Sequence, residues 1–149
     1  MSMKTNLTIS QSLKEKNKMA AKIQRNWAKI ISINSLPKGA NRPYDVVELK
    51  NETLCLTEEL IELKTKIHEA SAPVRMKIFR LSELKSILLK VGSINTKEGL
   101  VKERYDNTLV EMDAVLKTKD VDDMMTNYQD EIDDIQAYLD NYNYTTKLG

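Results

Sequence analysis

The chain has 149 residues, of which 41% are apolar and 30% charged, with four Gly, three Pro and a net charge of +1. That length fits one domain. Few chain breakers among many charges argue against a β-sandwich or a Gly-rich α/β sheet and point to long helices. With one Phe and one Trp, the core falls to aliphatic side chains. A long helical hairpin has much surface for its volume, so a thin core of this kind favours subunit association.

Charge is unevenly placed. Residues 1–42 hold seven Lys, two Arg and one Glu, whereas residues 111–141 hold ten Asp/Glu and two Lys. Opposite fields select partners and orientation, so these arms are expected to lie against each other, within one chain or across an interface. The basic residues of the first arm are spread around the helix, and nucleic acid is not an expected partner. Cys55 is the only cysteine, which excludes an intrachain disulfide and reads as a small packing residue. Residues 1–12 are polar, without the apolar core of a signal peptide. No apolar run approaches the ~18 residues that span a bilayer. A cytoplasmic setting without membrane contact is expected.

In chain order, Thr8 and Gln11 have the spacing of a capping box and start the first helix. Ile9, Leu13, Ala20, Ile23, Trp27 and Ile30 form its apolar seam, with Lys16 and Asn34 at the skipped positions. One polar seam residue can fix register. Residues 35–44, with Pro37, Gly39 and Pro43, read as the turn between antiparallel helices. Asp45 and Glu48 repeat the capping pattern. Leu49, Thr53, Leu56, Leu60, Leu63, Ile67 and Ala70 then make an unbroken seam. Leu54 and Ile61 widen it, which fits packing against more than one neighbour.

Pro73 breaks the pattern. Residues 74–79 alternate and fit either a strand or the start of a helix. Leu81, Leu84, Leu88 and Val91 give a short third helix closed by Gly92. Residues 93–107 read as polar loop or frayed helix. Residues 109–115 fit more helix or a strand that would pair with residues 76–79. Val121, Met125, Tyr128, Ile132, Ile135, Leu139 and Tyr142 restore a heptad seam in a last helix starting near Asp120. Asp120, Asp122 and Asp123 suit its first turn. Residues 141–149 have an extended character. The fold expected is mainly α: an oligomeric, antiparallel coiled-coil-type bundle of three long helices and one short one, with a small β-hairpin (about 74–79 and 109–115) left open.

This layout resembles the septicolysin-like family of small bacterial helical proteins over about residues 7–148. The resemblance is carried by LKEKNKMAAKIQ in the first helix, the GANRP loop, ELIELKTKI, the pair Arg104-Tyr105 and the closing YNYTTKL. It implies a helical, oligomeric, non-secreted protein. Where that family has an Asn/Arg-rich turn leading into a hairpin, this chain has IHEASAPVR.

No phosphate-cradling glycine loop, GxSxG or HExxH is present. His68, the only histidine, would need a nucleophile or acid partner for catalysis, but its neighbour Glu69 points elsewhere on a helix and Cys55 lies 13 residues away, so it reads as a surface or helix-end histidine. Asp120, Asp122 and Asp123 with Glu111 read as solvated carboxylates rather than a metal site. No enzyme activity, metal or cofactor is expected. The ligand-binding candidates lie where the seams stop: Arg75, Lys77 and Arg80 beside Pro73, then Arg104 and Tyr105, then Tyr142, Tyr144 and Thr145. Arg offers a planar fork for phosphate or carboxylate, and Tyr a stacking face with a hydroxyl. The structural alternative pairs Arg75 and Arg80 with acidic residues of the last helix. Trp27 is read as seam packing.

Two functions follow as expectations. One is a non-enzymatic homo-oligomer that sequesters a small anionic, nucleotide-like ligand in pockets at subunit interfaces. It is similar in kind to phage anti-defence proteins that hold nucleotide immune signals, a likeness of class rather than of motif. The alternative is a structural coiled-coil adaptor for a protein partner.

Overall fold

A computed structural model describes residues 6–103, 105 and 107–149 of the chain. They form four α-helices and a two-stranded antiparallel sheet. The chain divides into two compact units, the first running up to Pro73 and taking in Asn141–Gly149, the second Val74–Asp140.

In the first unit α1 spans Ile9–Ile33 and α2 spans Val46–Ala70. The capping box at Thr8 is complete: its hydroxyl accepts from Gln11 N–H at 3.2 Å, and the Gln11 side chain accepts from Thr8 N–H at 3.0 Å. Asp45 caps α2 by accepting from the N–H groups of Val47 and Glu48. The turn between the helices is secured by Arg42, which donates to the carbonyls of Ile33 and Asn34, both at 3.1 Å. These are the orphan acceptors of a helix end that has no basic residue in its own last turn. Near Ile9 the chain is tied to the C-terminus: Ile9 N–H donates to Thr146 O at 2.8 Å and Leu148 N–H to Leu7 O at 2.9 Å.

Along α2 the covered line is the one its periodicity predicts, with Thr53, Leu56 and Leu63 fully buried. Along α1 it is not. Ile9, Ser12 and Asn26 are buried, and Lys16, Met19, Ile23, Ile30 and Ile33 half-buried, whereas Ala20 and Trp27 are exposed. The line that meets α2 is therefore 9-12-16-19-23-26-30-33, rotated by about 50° from the apolar line of the sequence. Polar groups on it are handled locally. Ser12 and Thr53 donate to the carbonyls four residues back, Thr8 and Leu49. The Asn26 amide nitrogen is buried with no hydrogen-bond partner.

A 3-10 turn, Ala72–Val74, straddles the boundary at Pro73 and leads into α3 of the second unit, Arg75–Gly92. The strand alternative for residues 74–79 is thus excluded. Pro73 has its φ preset for a first helical turn and needs no donor there, so it starts the helix rather than breaking it into a strand. Strand β1, Gly99–Lys102, pairs with β2, Leu109–Met112, with Val101 opposite Val110 and Leu100 opposite Glu111. The expected strand at 109–115 forms over its first four residues, but its partner comes from the segment read as loop. Closing a short connection costs less chain entropy than reaching back some thirty residues. Gly99 (φ +76°) and Asn107 (φ 29°) take the left-handed backbone at the ends of this hairpin.

The last helix, α4, spans Thr118–Thr145. Asp120 accepts from Lys117 N–H at 2.9 Å at its start. The extended reading of residues 141–149 holds for 146–149, where Lys147 bridges to Thr8, and is corrected for 141–145: helix continues to Thr145 because Tyr142 prolongs the heptad line and no breaker intervenes. Within the first unit the Tyr142 hydroxyl donates to Ala70 O at 2.8 Å. Within the second, Leu81, Leu84 and Val91 of α3 and Val121, Ile132, Ile135 and Leu139 of α4 are buried. Charge follows the pairing: α1 carries six Lys/Arg and one Glu against six Glu and three Lys on α2, and α3 five Lys/Arg and one Glu against eight Asp/Glu and one Lys on α4. No helix among the described residues is long and apolar enough to cross a membrane.

Candidate functional site

The residues singled out by the sequence fall in both units. In the second, Arg80 Nε donates to Glu131 Oε1 at 2.6 Å, so the pairing of this arginine with the acidic last helix is observed. One turn away the Lys77 ammonium stands 4.6 Å from the ring centre of Tyr138, a cation–π contact. Arg75 is half-buried at the start of α3. Tyr105 is almost wholly exposed in the connection between the strands, and Arg104 lies outside the described residues. In the first unit Tyr142 is engaged on Ala70, and Thr145 donates its hydroxyl to Asn141 O at 2.8 Å, while the Tyr144 ring is exposed.

Both members of the Arg80–Glu131 pair reach solvent, so their coupling is modest. A double-mutant cycle with Arg80→Ala and Glu131→Ala is expected to give about 0.5–1 kcal/mol by urea unfolding. A coupling near zero would show that Arg80 is free for another anion.

Acid–base machinery is sparse. Among the described residues no three His, Cys, Asp or Glu stand together as a metal-holding group. Lys117 meets the carboxylates of Glu98 and Asp113. Its pKa is raised above the ordinary value, first by the hydrogen bond to Glu98 and then by both negative charges, with desolvation opposing. A raised amine pKa means that this link contributes below the ordinary lysine range and is lost as pH rises through the raised value. Cys55 is exposed rather than packed as expected.

An open groove of about 570 Å³ lies at the turn of the first hairpin, lined by Asn34, Arg42, Pro43, Tyr44, Asp45, Val46 and Val47. Its charged groups are already engaged: Arg42 on the end of α1 and Asp45 on the start of α2. Lys29 covers the Tyr44 ring, 4.5 Å from its centre. The groove is the structure of a turn, not a ligand cradle.

Apolar surface is more prominent. Exposed large side chains include Met76, Ile78, Phe79, Ile87 and Leu89 on α3 and Trp27, Ile31, Val47, Leu54 and Ile61 on the first hairpin. None of the α3 group is among the ligand-binding candidates that stand at the ends of the seams. The signal was present in the apolar residues all round α3, which in a helix marks more than one packed neighbour.

No family model, curated protein or solved structure matches the chain.

Proposed function

We propose that the chain is a non-enzymatic adaptor that binds a protein partner through an uncovered face of α3. The observation that carries this reading is the exposure of Met76, Phe79 and Leu89, with Met76 83% accessible, on a helix whose other side packs in its unit. Large apolar groups left in water on one element mark contact surfaces rather than ordinary solvated helix. Methionine adapts its shape to a partner, and phenylalanine supplies area and rigidity. Arg75, Lys77, Lys85 and Lys90 rim this helix with positive charge. The fitting partner is an apolar segment bordered by carboxylates.

Phe79→Glu, made in the intact chain, tests the reading. Wild type is expected to retain one stoichiometric protein and the variant to lose it, with unchanged far-ultraviolet circular dichroism. Retention by both, or capture by neither, would count against the α3 surface.

The small-ligand reading keeps one favourable observation: the rings of Tyr105 and Tyr144 are exposed, as stacking faces for a nucleotide-like anion must be. A ligand that binds only the folded state raises its unfolding temperature. Cyclic and ADP-ribose-type nucleotides are therefore expected to shift the transition if the chain sequesters such signals. Charge reversal at Arg75, Arg80 or Arg104 would then remove the shift, and no shift across the panel would set this reading aside.

A further inference from the structure

The apolar line of α1 and the line that meets α2 are not the same, and the difference has a direction. The Lys22–Glu52 ion pair, at 3.2 Å, closes one flank of the hairpin. Helical spacing puts Leu13, Ala20 and Trp27 on the opposite flank of α1, with Ile31 beside them. In an antiparallel pair like flanks face alike, so Val47, Leu54 and Ile61, spaced by sevens on α2, share that opposite flank. The five large residues Trp27, Ile31, Val47, Leu54 and Ile61 are between 36% and 78% accessible. Together they leave on the order of 500 Å² of apolar surface on one flank, at the upper end of what a monomer exposes as one patch.

We infer that this flank of the α1–α2 hairpin is a homodimer interface, covered by the same flank of a second copy about a two-fold axis near Leu54. Two features favour a second copy over an unrelated partner. The stripe is symmetric under reversal: an antiparallel copy lays Val47 on Ile61 of the second chain and Leu54 on its own counterpart, which is the self-complementarity an isologous contact requires. Its charges agree, because the same reversal sets Lys50 beside Thr57 and Glu58 beside Asn51, so no like charges meet at the centre.

This interface is independent of the α3 contact proposed above, and the test separates them. Sedimentation velocity of the full chain at micromolar concentration is expected to give twice the monomer mass. Leu54→Glu should return it to the monomer with unchanged circular dichroism, while Phe79→Glu, on the other unit, leaves the dimer intact. Cys55 is exposed and adjoins the proposed axis, so it supplies a native probe. A bismaleimide spanning about 10 Å, the spacing of packed helices, should join two wild-type chains through it. A monomer at every concentration, including one that captures a different protein on this flank, would overturn the inference. So would a dimer indifferent to Leu54→Glu, or one that Cys55 fails to cross-link.

Discussion

Leu63→Ala is expected to destabilise the protein by about 3 kcal/mol, in the range seen for buried leucines whose surroundings cannot collapse onto the space left. Leu63 is 2% exposed and lies on the buried line of α2. The residues of α1 that meet α2 include Ser12 and Lys16, which cannot move in to fill a hole with apolar atoms. Urea unfolding at fixed protein concentration checks the value. Leu54→Ala, on the exposed flank of the same helix, is the control for position: under conditions that keep the chain monomeric it should cost well under 1 kcal/mol. Equal losses at the two sites would mean that α2 is covered on both sides within a single chain.

The second large effect has the opposite sign. Asn26→Leu is expected to stabilise the hairpin by about 1–2 kcal/mol. The Asn26 amide nitrogen is buried with no partner, and a donor left in that condition costs about 1–3 kcal/mol. Leucine removes the donor and adds apolar contact with α2, with some of the gain lost to its larger volume. A buried Asn on a helix seam can fix register at a cost in stability. The variant should therefore unfold at higher urea yet tolerate a slipped pairing, visible as broadened resonances or faster amide exchange along α1. A loss of stability on this substitution would show that the amide is satisfied in the assembled protein.

The parts of the fold that were legible in the sequence were those where one periodic line had one partner. In α2 and α4 the apolar heptads, Leu56 with Leu63 and Ile132 with Ile135 and Leu139, became the buried lines directly. Capping chemistry was equally readable, since Thr8 and Asp45 act through neighbours in sequence. Failure came where a pattern served two masters. On α1 the apolar stripe is centred between the α2 contact and the open flank, so hydrophobicity alone could not show that Asn26 turns inward and Trp27 sideways. Around residues 74–79 apolar residues occur on all sides of α3, and a helix without a polar face mimics the alternation of a strand. The hairpin was half seen, because Leu109–Met112 reads as a strand while its partner Gly99–Lys102 opens on a glycine that reads as loop.

The candidate site was legible only as residue types. Arg and Tyr at the ends of seams were found, but sequence could not say that Arg80 has a carboxylate at hydrogen-bond distance or that the Tyr142 hydroxyl holds the end of α2. The width of the stripe on α2 was legible as well. Leu54 and Ile61 already implied a second neighbour, and both are exposed.

Trp27 is the only tryptophan, so its fluorescence reports on the disputed side of α1 without any labelling. In the proposed dimer this side of α1 faces away from α2 and is covered by the second chain. Emission and iodide quenching followed across a dilution series test it directly. The prediction is a readily quenched, red-shifted indole in the dilute monomer that becomes blue-shifted and protected as concentration rises, with the same midpoint as the change in mass. A Trp27 protected equally at every dilution would contradict it, by placing the indole inside the single chain, where the apolar line of the sequence alone would have put it.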